Sequence, residues 1–264
     1  MTRIFACIAA LVLASASAAQ DFEVDLELAL MVDVSRSMSP AELEIQRRGY
    51  AAALRSDIVL SAIRSGPLQR IAVSYIEWAG TQAVIVPWQV METQADLDAF
   101  ADALSNAYNP TLRRTSISEA LVYGAESMGQ NAYHGFRRVI DISGDGPNNQ
   151  GRPVTDARDR VLGEGIVING LPLMTRDGFN DRWHLEDLDV YYRSCVVGGW
   201  GSFVIPVLTW EEFAEAVLRK LVLEISGRPV ARGIVPVQYR APESYDCLVG
   251  EKRWEERQRY WQEP

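Results

Sequence analysis

Between residues 25 and about 226 the chain alternates short apolar runs with stretches whose apolar positions recur at helical spacing. Leu26, Leu28, Ala29, Leu30, Met31 and Val32 form a near-continuous apolar run, the pattern of a strand buried on both faces. Residues 40–63 place Leu43, Tyr50, Leu54 and Ile58 on one side of a predicted helix that Ser65-Gly66-Pro67 ends. Residues 71–79 and 82–91 read as two strands around the tight turn Gly80-Thr81, which predicts an antiparallel hairpin. Beyond them the pattern predicts helices over 95–104, 116–128, 155–163 and 210–225, and strands over 138–143, 166–173 and 203–208. Strands alternating with crossover helices imply an α/β fold, a mostly parallel sheet covered on both faces. Open sheets of this kind bind ligands in the crevice at the C-terminal ends of their strands.

The first residues follow a different rule. A basic start (Arg3), an apolar stretch over 4–13 and the small residues 14–19 make a secretory signal peptide over residues 1–19. It is too short to span a bilayer, and no later stretch is long and apolar enough to do so. The expected protein is exported, periplasmic or secreted, with no integral membrane segment. Removing the leader leaves Cys195 and Cys247, and two cysteines in an oxidising compartment most simply form one disulfide. Such a bond would tie a proline-bearing tail, residues 228–264, back onto a domain over 22–227. By the chain-entropy model, closing this loop is worth about 4 kcal/mol. Within the tail, Trp254, Arg257 and Trp261 share one side of a predicted charged helix over 251–261. They read as aromatics that dock the tail, or as an anchor for a partner.

The net charge of −9 becomes one unit more negative when the leader, with Arg3 and no acid, is removed. That disfavours nucleic acid and anionic membrane surfaces as partners. Walker-type glycine loops, Gly-x-Ser-x-Gly elbows and His-Glu-x-x-His helices are missing from the sequence, and His134 and His184 are its only histidines. A histidine-rich metal site is thereby excluded.

Candidate chemistry starts where the first strand opens into a loop, at Asp33-Val34-Ser35-Arg36-Ser37. A carboxylate and two hydroxyls at alternate positions offer hard oxygen to a cation such as Mg²⁺. The competing reading is that Ser35, Ser37 or Ser39 caps the helix beginning near Pro40. Two further loops stand at comparable junctions. Arg114-Thr115-Ser116-Ile117-Ser118-Glu119 opens a helix, and Asp141-Ile142-Ser143-Gly144-Asp145-Gly146 closes a strand.

Together these three loops resemble those of the von Willebrand factor type A (VWA) domain, and the chain resembles a bacterial exported branch of that superfamily. The resemblance covers roughly residues 25–225, including the hairpin after the first helix. It implies a Rossmann-like sheet with one antiparallel edge strand and a metal-ion-dependent adhesion site. On that pattern Ser35, Ser37 and Thr115 supply hydroxyls, and Asp33 and Asp145 supply charge, directly or through water. The implied ion is Mg²⁺, with Mn²⁺ or Ca²⁺ as substitutes. The implied partner is a protein that offers an acidic residue to the ion. Gly144 stands where the family commonly has threonine, and Arg113-Arg114 precede Thr115 where glycine is usual; these arginines read as solvated loop charges.

The expected function is therefore metal-dependent binding rather than catalysis. The alternatives are a metal-dependent hydrolase, for which no clear general base stands beside the ion, and a structural domain with a vestigial site. Asp141 reads either as a carboxylate supporting the site or as a structural acid. Glu77 reads as an edge or strand-end acid, and Pro147-Asn148-Asn149-Gln150 as a turn or as part of the ligand face. Asp177, Asn180 and Asp181 lack the spacing of a calcium loop.

Overall fold

The computed structural model describes residues 22–106, 112–175, 184–227, 235–236 and 245–262. The leader and the loop acids Asp177, Asn180 and Asp181 lie outside them. Among the described residues, seven strands form one sheet: β1 (Phe22–Asp33), β2 (Ile71–Trp78), β3 (Gln82–Met91), β4 (Tyr133–Gly144), β5 (Val167–Pro172), β6 (Phe203–Val204) and β7 (Val235–Pro236). Their order is β3-β2-β1-β4-β5-β6-β7. β2, β1, β4, β5 and β6 run parallel. β3 is antiparallel to β2, as the hairpin pattern predicts. The opposite edge differs from expectation: two tail residues add β7 antiparallel to β6, so antiparallel strands close the sheet at both sides.

Alternation along β1 sorts its side chains between two cores. Leu26, Leu28, Leu30 and Val32 meet α1 (Pro40–Leu54), α2 (Asp57–Arg64), α3 (Gln94–Asn106) and α7 (Phe213–Ser226), through Tyr50, Val59, Phe100, Phe213 and Leu221 among others. Ala29 and Met31 meet α4 (Ile117–Gly129), α5 (Val154–Gly163) and α6 (Leu188–Tyr191), the last continuing as a π turn over Tyr192–Val196. Fully burying one such leucine is worth about 1.5–3 kcal/mol. A last helix, α8 (Val249–Gln262), belongs to the tail.

The helix predicted over 40–63 is two helices. Ser56 leaves helical geometry and its hydroxyl caps α2 by accepting from the Ile58 amide, which restarts the helical phase. The new phase buries Val59, Leu60 and Ile63 and leaves Ile58 exposed. Glu77 also departs from its reading as an edge acid. It is buried inside β2, where Arg47 of α1 donates to it from both Nε (2.9 Å) and Nη2 (2.8 Å). The strand predicted to start at 138 begins at Tyr133, because its partly exposed first half, without an apolar run, still pairs with the start of β1. The strand predicted over 203–208 is confined to two residues.

Candidate metal centre

Parallel pairing of β1 with β4, Val32 beside Ser143, brings the C-terminal ends of these two strands together. Asp33 and Asp145 therefore emerge side by side. The Asp145 amide lies 3.4 Å from Asp33 Oδ2. Asp33 Oδ1 accepts from the Ser35 amide at 2.7 Å, which folds the first loop back on its own carboxylate. The Ser35 and Ser37 hydroxyls are 2.9 Å apart, and Ser37 Oγ donates to Asp145 Oδ1 at 2.8 Å. Ser35, Ser37 and Asp145 are thus joined oxygen to oxygen, and Asp33 is held beside them by the Ser35 and Asp145 amides, a group drawn from two loops. Ser39, not Ser35 or Ser37, caps α1: its hydroxyl accepts from the Glu42 amide, and Glu42 accepts from the Ser39 amide. The two sequence readings of these serines are divided between different residues, and Ser35 and Ser37 remain with the cluster.

Thr115 arrives from a third direction. Its loop is fixed to the first loop by the Leu112 amide donating to the Val34 carbonyl at 2.9 Å. It is fixed to the end of β2 by Ser116 N to Ala79 O (3.0 Å) and Gly80 N to Arg113 O (3.1 Å). Asn149 then pairs with Thr115 in both senses, its Oδ1 accepting from Thr115 N (3.0 Å) and its amide donating to Thr115 O (2.9 Å). Thr115 is buried at the same end of the sheet as the cluster. Among the described residues, its hydroxyl joins none of the cluster's hydrogen bonds. The turn 147–150 serves as the brace between the second and third loops.

Burial raises both carboxyls of the cluster. Asp33 is fully buried; burial, then the neighbouring charge of Asp145, pushes its carboxyl well above the usual range. Burial pushes Asp145 up to about 6, against the pull of the Ser37 hydrogen bond. Gly144 explains the departure from threonine. A Cβ there would stand 2.8 Å from the Tyr192 hydroxyl and 2.9 Å from Asp33 Oδ2, too close for any side chain without displacing one of them. The buried Tyr192 hydroxyl beside this cradle has no hydrogen-bond partner among the described residues. The glycine is thus set by Tyr192, on the π turn, which sequence reading did not anticipate as an element.

Three other candidates are placed elsewhere. Asp141 projects from β4 into the core on the α7 side and pairs with Lys220 at 2.5 Å, so it is a structural acid. Arg114 is not a free loop charge, because its guanidinium lies 4.1 Å from the centre of the Trp254 ring. Trp254 thereby docks the tail, as one of its two readings held. Cys195 and Cys247 are joined by a disulfide that fixes the tail to the π turn. No group of three or more His, Cys, Asp or Glu that could hold a metal ion occurs among the described residues. The two carboxylates and two serine hydroxyls of the cluster are a different donor set, of the hard-oxygen type.

The fold is VWA-like. Solved structures share the fold at low sequence identity. Proximal thread matrix protein 1 of the mussel byssus is 14% identical with a TM-score of 0.56, over 78% of this chain and 49% of that one. A further structure of that protein, TM-score 0.54 and 12% identity over the same shares, is described as having a zinc-occupied MIDAS motif. The pilus adhesin SpaC of Lactobacillus rhamnosus GG is 12% identical with a TM-score of 0.56, over 77% of this chain and 31% of that one. The chain thus spans less than half of each of these solved chains. No curated protein matches it in sequence. The chain belongs to the DUF1194 family, proteins of unknown function, which it matches over residues 23–229.

Proposed function

We propose that this chain is an exported binding protein that holds a divalent ion at Asp33, Ser35, Ser37, Thr115 and Asp145 and uses it to capture an acidic group of a protein partner. The observation that carries the reading is the run of oxygen atoms from Ser35 through Ser37 to Asp145, with Asp33 tied to it through the Ser35 and Asp145 amides and both carboxyls raised by burial. A divalent cation, Mg²⁺ or in its place Mn²⁺ or Ca²⁺, offsets that effect when bound. Hydroxyl donors leave much of its charge uncompensated, which favours a carboxylate from outside. The acidic balance of the chain agrees: an intervening cation offsets the repulsion between an acidic protein and an acidic group. The zinc-occupied motif of the mussel protein supports a metal at the equivalent loops. His134, the second residue of β4 and paired with Glu23, sits at the opposite end of the sheet and offers the centre no base. Export is supported by the leader pattern and by the disulfide. Among the described residues no helix is long and apolar enough to cross a membrane.

Calorimetric titration with MgCl₂ tests this reading. The chain is expected to take up one ion, and Ser35→Ala to bind it about tenfold more weakly, the loss of one ligand oxygen of about 1.4 kcal/mol. Absence of uptake of Mg²⁺, Mn²⁺ and Ca²⁺ by the unaltered chain would contradict it.

A further inference from the structure

α8 lies beyond the residues that match the family, and the centre as described makes no use of it. It is nevertheless fastened on two sides. One side is anchorage to the segment around α6: the Cys195–Cys247 disulfide, the Tyr245 hydroxyl donating to Asp187 at 3.0 Å, and Arg253 donating to the His184 carbonyl at 3.1 Å. The other side reaches the metal loops. Asn148 Nδ2 donates to Glu251 Oε1 at 2.7 Å. Gly250 lies so close to the third loop that a Cβ would fall 1.9 Å from the Asn148 carbonyl oxygen, so only glycine permits this approach. Trp254 lies under Arg114, the residue before Thr115. Arg114 has a φ of 77°, a left-handed backbone rarely adopted by residues with side chains, so something must hold it there.

These contacts continue inward. Asn148 Oδ1 accepts from the Ser118 amide at 3.0 Å, three residues beyond Thr115. The next residue, Asn149, is the one paired with Thr115 in both senses. α8 therefore grips the second loop at Arg114 and the third at Asn148, on either side of Thr115. Helix, disulfide and the two loops make one mechanical unit.

We infer that α8 is a clamp that sets the second and third loops in their metal-binding arrangement, with Glu251 and Trp254 as positioning residues. The consequence for metal rests on the reading that these loops carry a divalent ion; the clamping itself does not. A helix that merely covered apolar surface would leave the loops unchanged when these two side chains were removed.

The test uses the full disulfide-bonded chain and two readouts. Amide hydrogen exchange at Thr115, Ser118 and Asn149 is followed without metal, and Mg²⁺ affinity is measured by calorimetry. Glu251→Leu and Trp254→Ala are each expected to speed exchange at those three amides at least tenfold. They should also weaken Mg²⁺ binding about tenfold while the melting temperature stays within a few degrees. Glu251→Gln keeps an oxygen acceptor for Asn148 and should behave as the unaltered chain. Unchanged exchange in both disruptive variants, or Leu and Gln variants that cannot be told apart, would overturn the clamp. Loosened amides in a chain that takes up no Mg²⁺ would uphold the clamp and sink the metal reading. Equal Mg²⁺ affinity with unchanged amides would do the reverse.

Discussion

Asp33→Asn is expected to lower Mg²⁺ affinity at least about a hundredfold while leaving the metal-free fold as stable as before, or more so. The amide oxygen of asparagine can still accept from the Ser35 amide, as Asp33 Oδ1 does at 2.7 Å, so the first loop keeps its shape. What disappears is one formal charge. In the metal-free chain that charge is a burden, since burial and Asp145 both push the Asp33 carboxyl upward. With an ion present, the same charge is its closest electrostatic support, and losing such a ligand costs about 3 kcal/mol. Melting curves in chelator and in excess Mg²⁺ separate the two effects. Ligand at about a hundred times its Kd should stabilise the parent by about 2.7 kcal/mol and the variant hardly at all. An Asp33 whose role was only structural would give the opposite pattern, a lower melting temperature in chelator and the same response to Mg²⁺.

The second large effect lies behind the site. Lys220→Met is expected to destabilise the fold by about 3–5 kcal/mol, measured by urea unfolding at pH 7. Lys220 is 1% exposed and bridges two buried carboxylates, Asp141 Oδ1 at 2.5 Å and Glu224 Oε1 at 2.6 Å. Asn169 completes the group, donating to Glu224 at 3.0 Å and accepting from the Phe203 amide at 3.1 Å. Removing the cation strands two acids in the core. The group also gives stability a pH dependence. Burial, with the charge of Asp141 adding to it, pushes Glu224 up to about 7, and Asp141 is raised in the same direction, chiefly by burial. The folded chain therefore holds the Glu224 proton more tightly than the unfolded chain. Its contribution to stability is present below about pH 4.5 and is lost as pH rises through about 7, by up to roughly 3 kcal/mol. Glu224→Gln should flatten that part of the profile.

Most of this architecture was legible because local pattern and tertiary environment agree. The apolar run 26–32 is a central strand, and the alternation of runs and amphipathic stretches is a doubly covered sheet. The cluster was legible for the same reason: a carboxylate and two serines follow a run that had to be buried, so their place at a strand end was fixed. Legibility failed where tertiary contacts decide. Nothing in 40–63 announces that Ser56 restarts the helix. β7 exists only because tail residues find a free sheet edge. Asp141 stayed open between a site-supporting and a structural acid, and Glu77 read as an edge or strand-end acid, because their cations, Lys220 and Arg47, lie 79 and 30 residues away along the chain. Gly144 stands out as a departure until Tyr192, on a π turn without a sequence signature, occupies the space of its missing side chain. Arg114 read as a solvated charge because Trp254 is 140 residues further on.

The most direct test is to soak crystals of the chain in MnCl₂ and locate the ion by its anomalous scattering. The account predicts a single strong peak within about 2.2 Å of the Ser35 and Ser37 hydroxyl oxygens, at the end of the sheet where Asp33 and Asp145 emerge side by side. Crystals that show manganese elsewhere, or none between these serines at millimolar concentration, would contradict it.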